Sequence, residues 1–291
     1  MTRRTTRARF ASALGAGALV AFSLPPWGWW PLAFVGIAIF ARLTTLTDHS
    51  RRTQFLLGTT FAFGWFAPGM CWMWFLTPPG YVIAVLLFAA FHGLASVIGS
   101  RSVYPLVALP LAHTLAETLR FSFPFGGVPL ASLAISQSAS PLVGIVRIGG
   151  PLLLTFGLFQ IGFTLSQLVV APKRRHLAFF VILIALLIGI GSFAPHGANT
   201  GETRTIAAVQ GGGPQGTLAI NTNPRDVVER HLAATRTITS SNLDMVIWPE
   251  NVIDVDDFYD STERVEVAEQ AARLNAPFVV GITEDMNAQY F

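Results

Sequence analysis

The chain has 291 residues, 52% hydrophobic and 12% charged, with a formal net charge of +3 and a mean hydropathy of +0.53. That balance excludes an ordinary soluble globular protein and points to a membrane protein. The charge is unevenly divided, because His196 to Phe291 hold 14 acids and 6 arginines, net −8, whereas the residues before them hold 2 acids and 13 basic residues, net +11.

Two bodies follow from this division: a membrane domain over 1–195 and a small acidic α/β domain over 196–291. The basic residues flank apolar segments, so no nucleic-acid partner is expected. One cysteine, Cys71, and one lysine, Lys173, exclude an internal disulfide framework and a Cys-rich metal site. Neither a cofactor nor a metal is expected.

At the N-terminus, Arg3, Arg4, Arg7 and Arg9 precede an apolar run that ends in Ser23-Leu24-Pro25-Pro26 without a small-x-small cleavage site. It reads as a retained first span rather than a removed signal peptide. With about 20 apolar residues per span, segments fall near 10–25, 29–46, 54–75, 80–99, 103–120, 142–170 and 176–194, seven in all. Arg51 and Arg52, Arg101, and Lys173 to Arg175 fall on the same side as the basic N-terminus. The positive-inside rule then places the N-terminus in the cytoplasm and, after seven spans, the acidic body outside it.

Trp27, Trp29 and Trp30, and Trp72, Trp74 and Phe75, read as interfacial aromatic belts at the outer ends. Cys71 reads as a small apolar filler. The stretch Phe121 to Pro141 is uncharged, apolar and broken by Pro and Gly, which suggests an interfacial or re-entrant arm beneath the soluble body. In span five, His113, Glu117 and Arg120 share one helical face. Two readings stand for Glu117 and Arg120: a structural ion pair at the outer interface, or a contact to a substrate headgroup. His92, in span four, reads as a packed or hydrogen-bonded histidine.

Beyond a Pro- and Gly-containing linker at Ala194 to Gly201, the pattern predicts strand 205–210, helix 225–239, strand 244–248, helix 261–274 and strand 277–282, a βαβαβ order. Gly211-Gly212-Gly213-Pro214 lacks the ending of a phosphate loop. Asp254, Asp256, Asp257 and Asp260 lack the spacing of a calcium loop and read as a solvated helix entry. The segment Leu243 to Asn251 (LDMVIWPEN) carries the main chemical candidate. Pro249 ends the strand, so Glu250 lies just past its carboxyl end, where open α/β sheets place their chemistry. Walled by Trp248 and Pro249, its carboxylate suits a general base.

Several stretches resemble the bacterial apolipoprotein N-acyltransferase family. They are Ser23 to Ala33 (SLPPWGWWPLA), Leu111 to Arg120 (LAHTLAETLR), Phe123-Pro124-Phe125-Gly126, Ser136-Gln137, Ala207 to Gln215 (AAVQGGGPQ) and Ile247 to Asn251 (IWPEN). The resemblance implies a polytopic α-helical membrane domain followed by a partial nitrilase-like α/β domain, in the bacterial plasma membrane. It implies a Glu, Lys and Cys triad whose Glu maps onto Glu250, with Trp248, Asn251, Glu117 and Arg120 as candidate substrate contacts. The implied reaction moves an acyl chain from a membrane phospholipid, through a thioester on the Cys, to the α-amino group of the lipidated N-terminal cysteine of an apolipoprotein. The family's Lys and Cys fall beyond Phe291, and neither Lys173 nor Cys71 matches their motifs. The expectation is a C-terminally incomplete chain, inactive alone. A catalytically dead, membrane-anchored lipid or lipoprotein binding module is the alternative. A transporter would show polar residues deep in several spans and an internal repeat, and neither is visible.

Overall fold

A computed structural model describes residues 3–45, 49–170, 173–212, 222–240, 242–286 and 289–290. The chain divides into two compact units, Met1–Gly197 and Ala198–Phe291. The first unit is helical: α1 (Arg3–Phe22), α2 (Pro31–Thr45), α3 (Arg51–Gly69), the short α4 (Met73–Leu76), α5 (Pro78–Gly99), α6 (Pro105–Arg120), α7 (Val146–Val170) and α8 (Arg174–Phe193).

Among the described residues, the seven long helices of this unit fall on the seven apolar segments. Three stretches among the described residues, Pro78–Gly99, Val143–Val169 and Arg174–Phe193, are long and apolar enough to cross a membrane, and α2 is a shorter apolar helix. The rest fall short for local reasons: α1 begins with arginines, α3 opens on Arg51-Arg52, and α6 has only 16 residues.

Aromatic side chains fill the helical core, with Phe40 stacked on Phe61 at 4.1 Å and Trp65 on Phe66 at 4.5 Å. Small residues let the backbones close on one another. A Cβ on Gly17 would strike the Phe61 carbonyl, and one on Gly64 would strike the Leu14 carbonyl. The α1–α3 seam thus accepts nothing larger than glycine at these two positions.

Two expected spans are interrupted. The third does not run to Phe75, because Pro68 and Gly69 end α3 and the chain turns before α4. Cys71 sits in that turn and is exposed, which corrects the expectation of a buried filler. In the sixth, Gly149 and Gly150 leave helical geometry, Gly150 at φ +64°, a conformation that glycine supplies without a Cβ clash.

Phe121 to Pro141 forms turns and a 3-10 segment, Leu133–Gln137, with Leu133, Ala134, Ser136 and Gln137 buried. Its carbonyls receive donors from the helices: Trp65 Nε1 bonds to the Ala131 oxygen at 3.0 Å, and Arg120 bonds to those of Val128 and Leu130. Irregular backbone among membrane helices requires such partners.

The second unit contains β1 (Ile206–Ala208), α9 (Pro224–Arg236), β2 (Met245–Ile247), β3 (Ile253–Val255), α10 (Thr262–Leu274), β4 (Phe278–Val279), β5 (Ile282–Met286) and β6 (Gln289–Tyr290). A parallel sheet has the order β1-β2-β4, with Ala207 opposite Val246 and Val246 opposite Phe278. β3 pairs in parallel with β5, and β5 pairs antiparallel with β6. The expected third strand is therefore two strands, separated at Val280-Gly281. The acidic stretch begins with β3 rather than serving only as a helix entry, because Ile253 and Val255 bury against the core while Asp254 faces outward. Gly213 and Pro214 lie outside the described residues, as do Asn287, Ala288 and Phe291.

Asn223 caps α9 and Ser261 caps α10, each side chain accepting a backbone N–H of the first turn. Arg225 binds Glu263 at 3.0 Å, Glu266, and Glu229 at 3.2 Å. At the other ends of the helices, Arg273 donates to the carbonyls of Thr235 and Ile238. The Arg225 hydrogen bond holds the Glu266 carboxyl below its ordinary range, against a smaller opposing effect of burial.

A depressed folded-state pKa stabilises above the unfolded value, and the benefit fades as pH falls through the folded one. Replacing Arg225 with Met should accelerate hydrogen exchange in α9 and α10 at pH 7, reflecting a loss of about 1 kcal/mol for a partly exposed network. The difference from wild type should shrink once the pH falls below about 4. An equal difference at pH 7 and pH 3 would refute the ion-pair account.

Candidate functional site

Two constellations carry ionisable side chains that sequence reading singled out, one in each unit. In the second unit, β2 is the central strand of its parallel sheet, and the chain leaves it through Trp248, Pro249, Glu250 and Asn251. Trp248 is 2% exposed. Its indole N–H donates to Thr235 Oγ1 at 3.0 Å, and its ring lies against His231 and Phe278. The indole packs in the core, and the Glu250 side chain is exposed.

The turn that carries Glu250 is held on several sides. Trp248 N–H bonds to the Val279 carbonyl at 2.9 Å, and the N–H groups of Val252 and Ile253 both reach the Gly281 carbonyl, at 3.2 and 3.1 Å. Asn251 takes a left-handed conformation at φ +56°, and its amide oxygen accepts from Thr283 Oγ1 at 3.2 Å. Asparagine tolerates that conformation better than most residues.

Gly281 packs directly beneath the turn, where a Cβ would meet the Pro249 oxygen, the Asn251 nitrogen and the Glu250 Cα. Gly281→Ala should displace the Glu250 backbone and destabilise the second unit by about 1–3 kcal/mol, read as faster hydrogen exchange in β2 and β4. Unchanged exchange would show that the turn yields freely. Sequence reading placed Gly281 inside a strand without a role, although a lone glycine in a strand pattern signals close backbone approach. Thr235 and His231, which support Trp248, carried no such signal.

The first unit brings Glu117 and Arg120 together, both completely buried. Arg120 donates Nε and Nη2 to the two Glu117 oxygens at 2.9 and 2.8 Å, and Nη1 to the carbonyls of Val128 and Leu130. Its guanidinium lies 4.8 Å from the Phe66 ring and 5.1 Å from that of Phe88. His92 Nε2 lies 3.3 Å from Glu117 Oε1, and its Nδ1 lies 2.9 Å from His113 Nδ1. Ser96 Oγ sits 3.4 Å from His113 Nε2 and donates to the His92 carbonyl.

The two imidazoles stack at 5.2 Å, with Phe159 stacked on His113 at 5.1 Å. Helix α6 supplies His113, Glu117 and Arg120, and α5 supplies His92 and Ser96. Fully engaged with one another and with the arm, these groups can fix the arm's backbone to the helices. Cys71 and Lys173 belong to neither constellation. Among the described residues, no group of three or more His, Cys, Asp or Glu side chains has the arrangement of a metal site.

Comparison with known proteins bears on both units. A protein of Mycolicibacterium smegmatis named apolipoprotein N-acyltransferase is 28% identical over 305 residues, covering 94% of this chain and 51% of that protein. Proteins of the same name from Pseudomonas paraeruginosa and Coxiella burnetii are 27% and 28% identical over 96% and 93% of this chain, each matched along 59% of its own length. The chain thus spans between about half and three fifths of these curated relatives. The family sequence model described as the apolipoprotein N-acyltransferase N-terminal domain matches residues 16–164, which reach from α1 into α7 and include the buried Glu117–Arg120 cluster. Matched along just over half its length, the chain belongs to the apolipoprotein N-acyltransferase family.

Proposed function

We propose that this chain is the membrane part and the general-base part of an enzyme that acylates lipoproteins. The donor is a membrane phospholipid, and the acceptor is the free α-amino group of a diacylglyceryl-modified N-terminal cysteine. The observation that carries the reading is the position of Glu250. It is an exposed carboxylate just past the end of the central parallel strand, on a turn held by Gly281, Asn251 and Thr283, in a chain whose helical part is that of the family.

In the reaction, Glu250 takes the proton from a cysteine thiol and the thiolate attacks an acyl ester carbonyl of the phospholipid. Collapse of the adduct expels the lysophospholipid alcohol and leaves a thioester. Attack by the acceptor amine then releases the thiol and forms an amide. A lysine contributes charge at the oxyanion. Residues 198–291 contain no Cys and no Lys, so those two groups are not among the side chains of this unit.

The alternative is a membrane-anchored module that binds lipid or lipoprotein without chemistry. We further propose the residue range 1–195 as a domain of seven spans with its N-terminus in the cytoplasm, and 196–291 as an extracytoplasmic nitrilase-like domain. Asn251 and Trp248 would shape the site around Glu250, with Glu117 and Arg120 holding the arm.

The test uses protein expressed from its gene, start codon to stop codon, in liposomes with phosphatidylethanolamine and a synthetic diacylglyceryl lipopeptide. Transfer of an acyl chain, seen as the mass of the triacylated product, supports the enzyme. Saturable lipopeptide binding without product supports the binding module and overturns acyl transfer.

A further inference from the structure

Helices α2 and α7 leave a seam between them that no described side chain fills. Its upper part is a cavity of about 340 Å³ lined by apolar residues, among them Trp30, Phe34, Ile161, Leu165 and, from α8, Ile184. Its lower part is a cavity of about 330 Å³ along the same two helices, and the two parts share Leu165.

The lower part differs in chemistry. Besides Ala38 and Ile39 it is lined by Arg42 and Ser166. Ser166 is 3% exposed, and its buried hydroxyl has no hydrogen-bond partner. Arg42 is exposed and has no hydrogen bond or ion pair among the described residues. A buried hydroxyl without a partner is uncommon and calls for an explanation.

From this seam we infer that the helical unit holds one resident anionic phospholipid, its acyl chain in the apolar cavity and its phosphate between Arg42 and Ser166. Three observations support this occupant. Pro31 to Arg42 is 11 residues, a helical rise of about 17 Å, comparable with the reach of one lipid acyl chain, about half of a hydrocarbon core about 30 Å thick. Apolar lining above and a cation with a hydroxyl below match the order of groups in a phospholipid, and a guanidinium is suited to phosphate. Finally, α8, which supplies Ile184 to the seam, leaves Leu177, Val181, Ile182 and Leu186 half exposed or more, as expected of a helix bordered by lipid. The site lies wholly within the helical unit and stands whether or not the chain transfers acyl groups, since this lipid is held and not consumed.

Native mass spectrometry of the whole chain, purified in mild detergent and titrated with phosphatidylglycerol or phosphatidylcholine, tests the inference. We expect one phosphatidylglycerol per chain, bound more tightly than phosphatidylcholine. Arg42→Gln should weaken phosphatidylglycerol about tenfold, the worth of one charge-assisted contact, and abolish the preference. Arg42→Lys should keep part of it. Leu165→Trp, which fills the waist of the seam, should remove both lipids. If that variant fails to fold by thermal unfolding, Arg42→Gln at an exposed position decides alone. Equal binding of the two lipids with no effect of Arg42→Gln overturns the inference. So does a chain dimer without lipid, which would mean that a second copy covers the seam.

Discussion

On the proposed general-base role, Glu250→Gln in the protein expressed from its whole gene should reduce acyl transfer by about 10²–10⁴-fold, the range expected when a general base is removed. The glutamine keeps the shape of the side chain and loses its proton affinity. Because the Glu250 side chain is exposed and without a hydrogen bond among the described residues, the substitution should leave hydrogen exchange of the second unit unchanged. That combination separates a chemical role from a structural one. Lipid-donor and lipopeptide binding should persist, so kcat should fall while apparent affinity holds. Trp248→Phe is the useful contrast, since it removes the indole bond to Thr235 within the core and should destabilise the unit by about 1–2 kcal/mol. If Glu250→Gln retains wild-type turnover in the liposome assay, Glu250 is not the base.

Breaking the buried ion pair of the first unit should cost more stability than any other single change considered above. Glu117→Ala leaves the Arg120 guanidinium buried without a counter-charge, and removing one partner of a buried pair costs about 3–5 kcal/mol. It also removes the partner of His92 Nε2. Arg120→Met leaves the Glu117 carboxylate buried and takes a donor from the carbonyls of Val128 and Leu130, so the arm should loosen as the helices destabilise.

The double variant Glu117→Leu with Arg120→Met should be less damaging than the sum of the singles, because neither charge is left alone. Thermal unfolding in detergent measures the coupling, and hydrogen exchange at 128–131 measures the arm. Single variants within about 1 kcal/mol of wild type would show that water or lipid headgroups reach the pair. Full exchange protection at 128–131 in Arg120→Met would sever the arm from the cluster.

How much of this was legible in the sequence follows from the range over which each feature is specified. Apolar segments and the alternation of strands and helices are local patterns, and each appears as a helix or strand near its expected position. Local breakers shift the ends: Pro68-Gly69 cut α3 before Phe75, and Gly149-Gly150 interrupted α7. The single expected strand at 277–282 became β4 and β5 because Gly281 passes beneath the Glu250 turn, a contact between segments some 30 residues apart. β3 was hidden among aspartates, since its pairing with β5 depends on two burying positions, Ile253 and Val255, and not on a long alternating run.

By itself, the sequence determined that this is a membrane protein with an acidic α/β unit, that Pro249 ends a strand, and that Glu250 follows it. Hydropathy, charge and proline geometry act through neighbouring residues and need no fold to be read. Only the tertiary structure decided that His92 of α5 meets both His113 and Glu117 of α6, that Arg120 grips the arm at Val128 and Leu130, and that Trp248 turns into the core beside Thr235. Those contacts join different elements, most of them between segments far apart in the chain. They exist because close packing of whole elements brings their donors and acceptors within hydrogen-bonding distance, and local periodicity does not encode that packing.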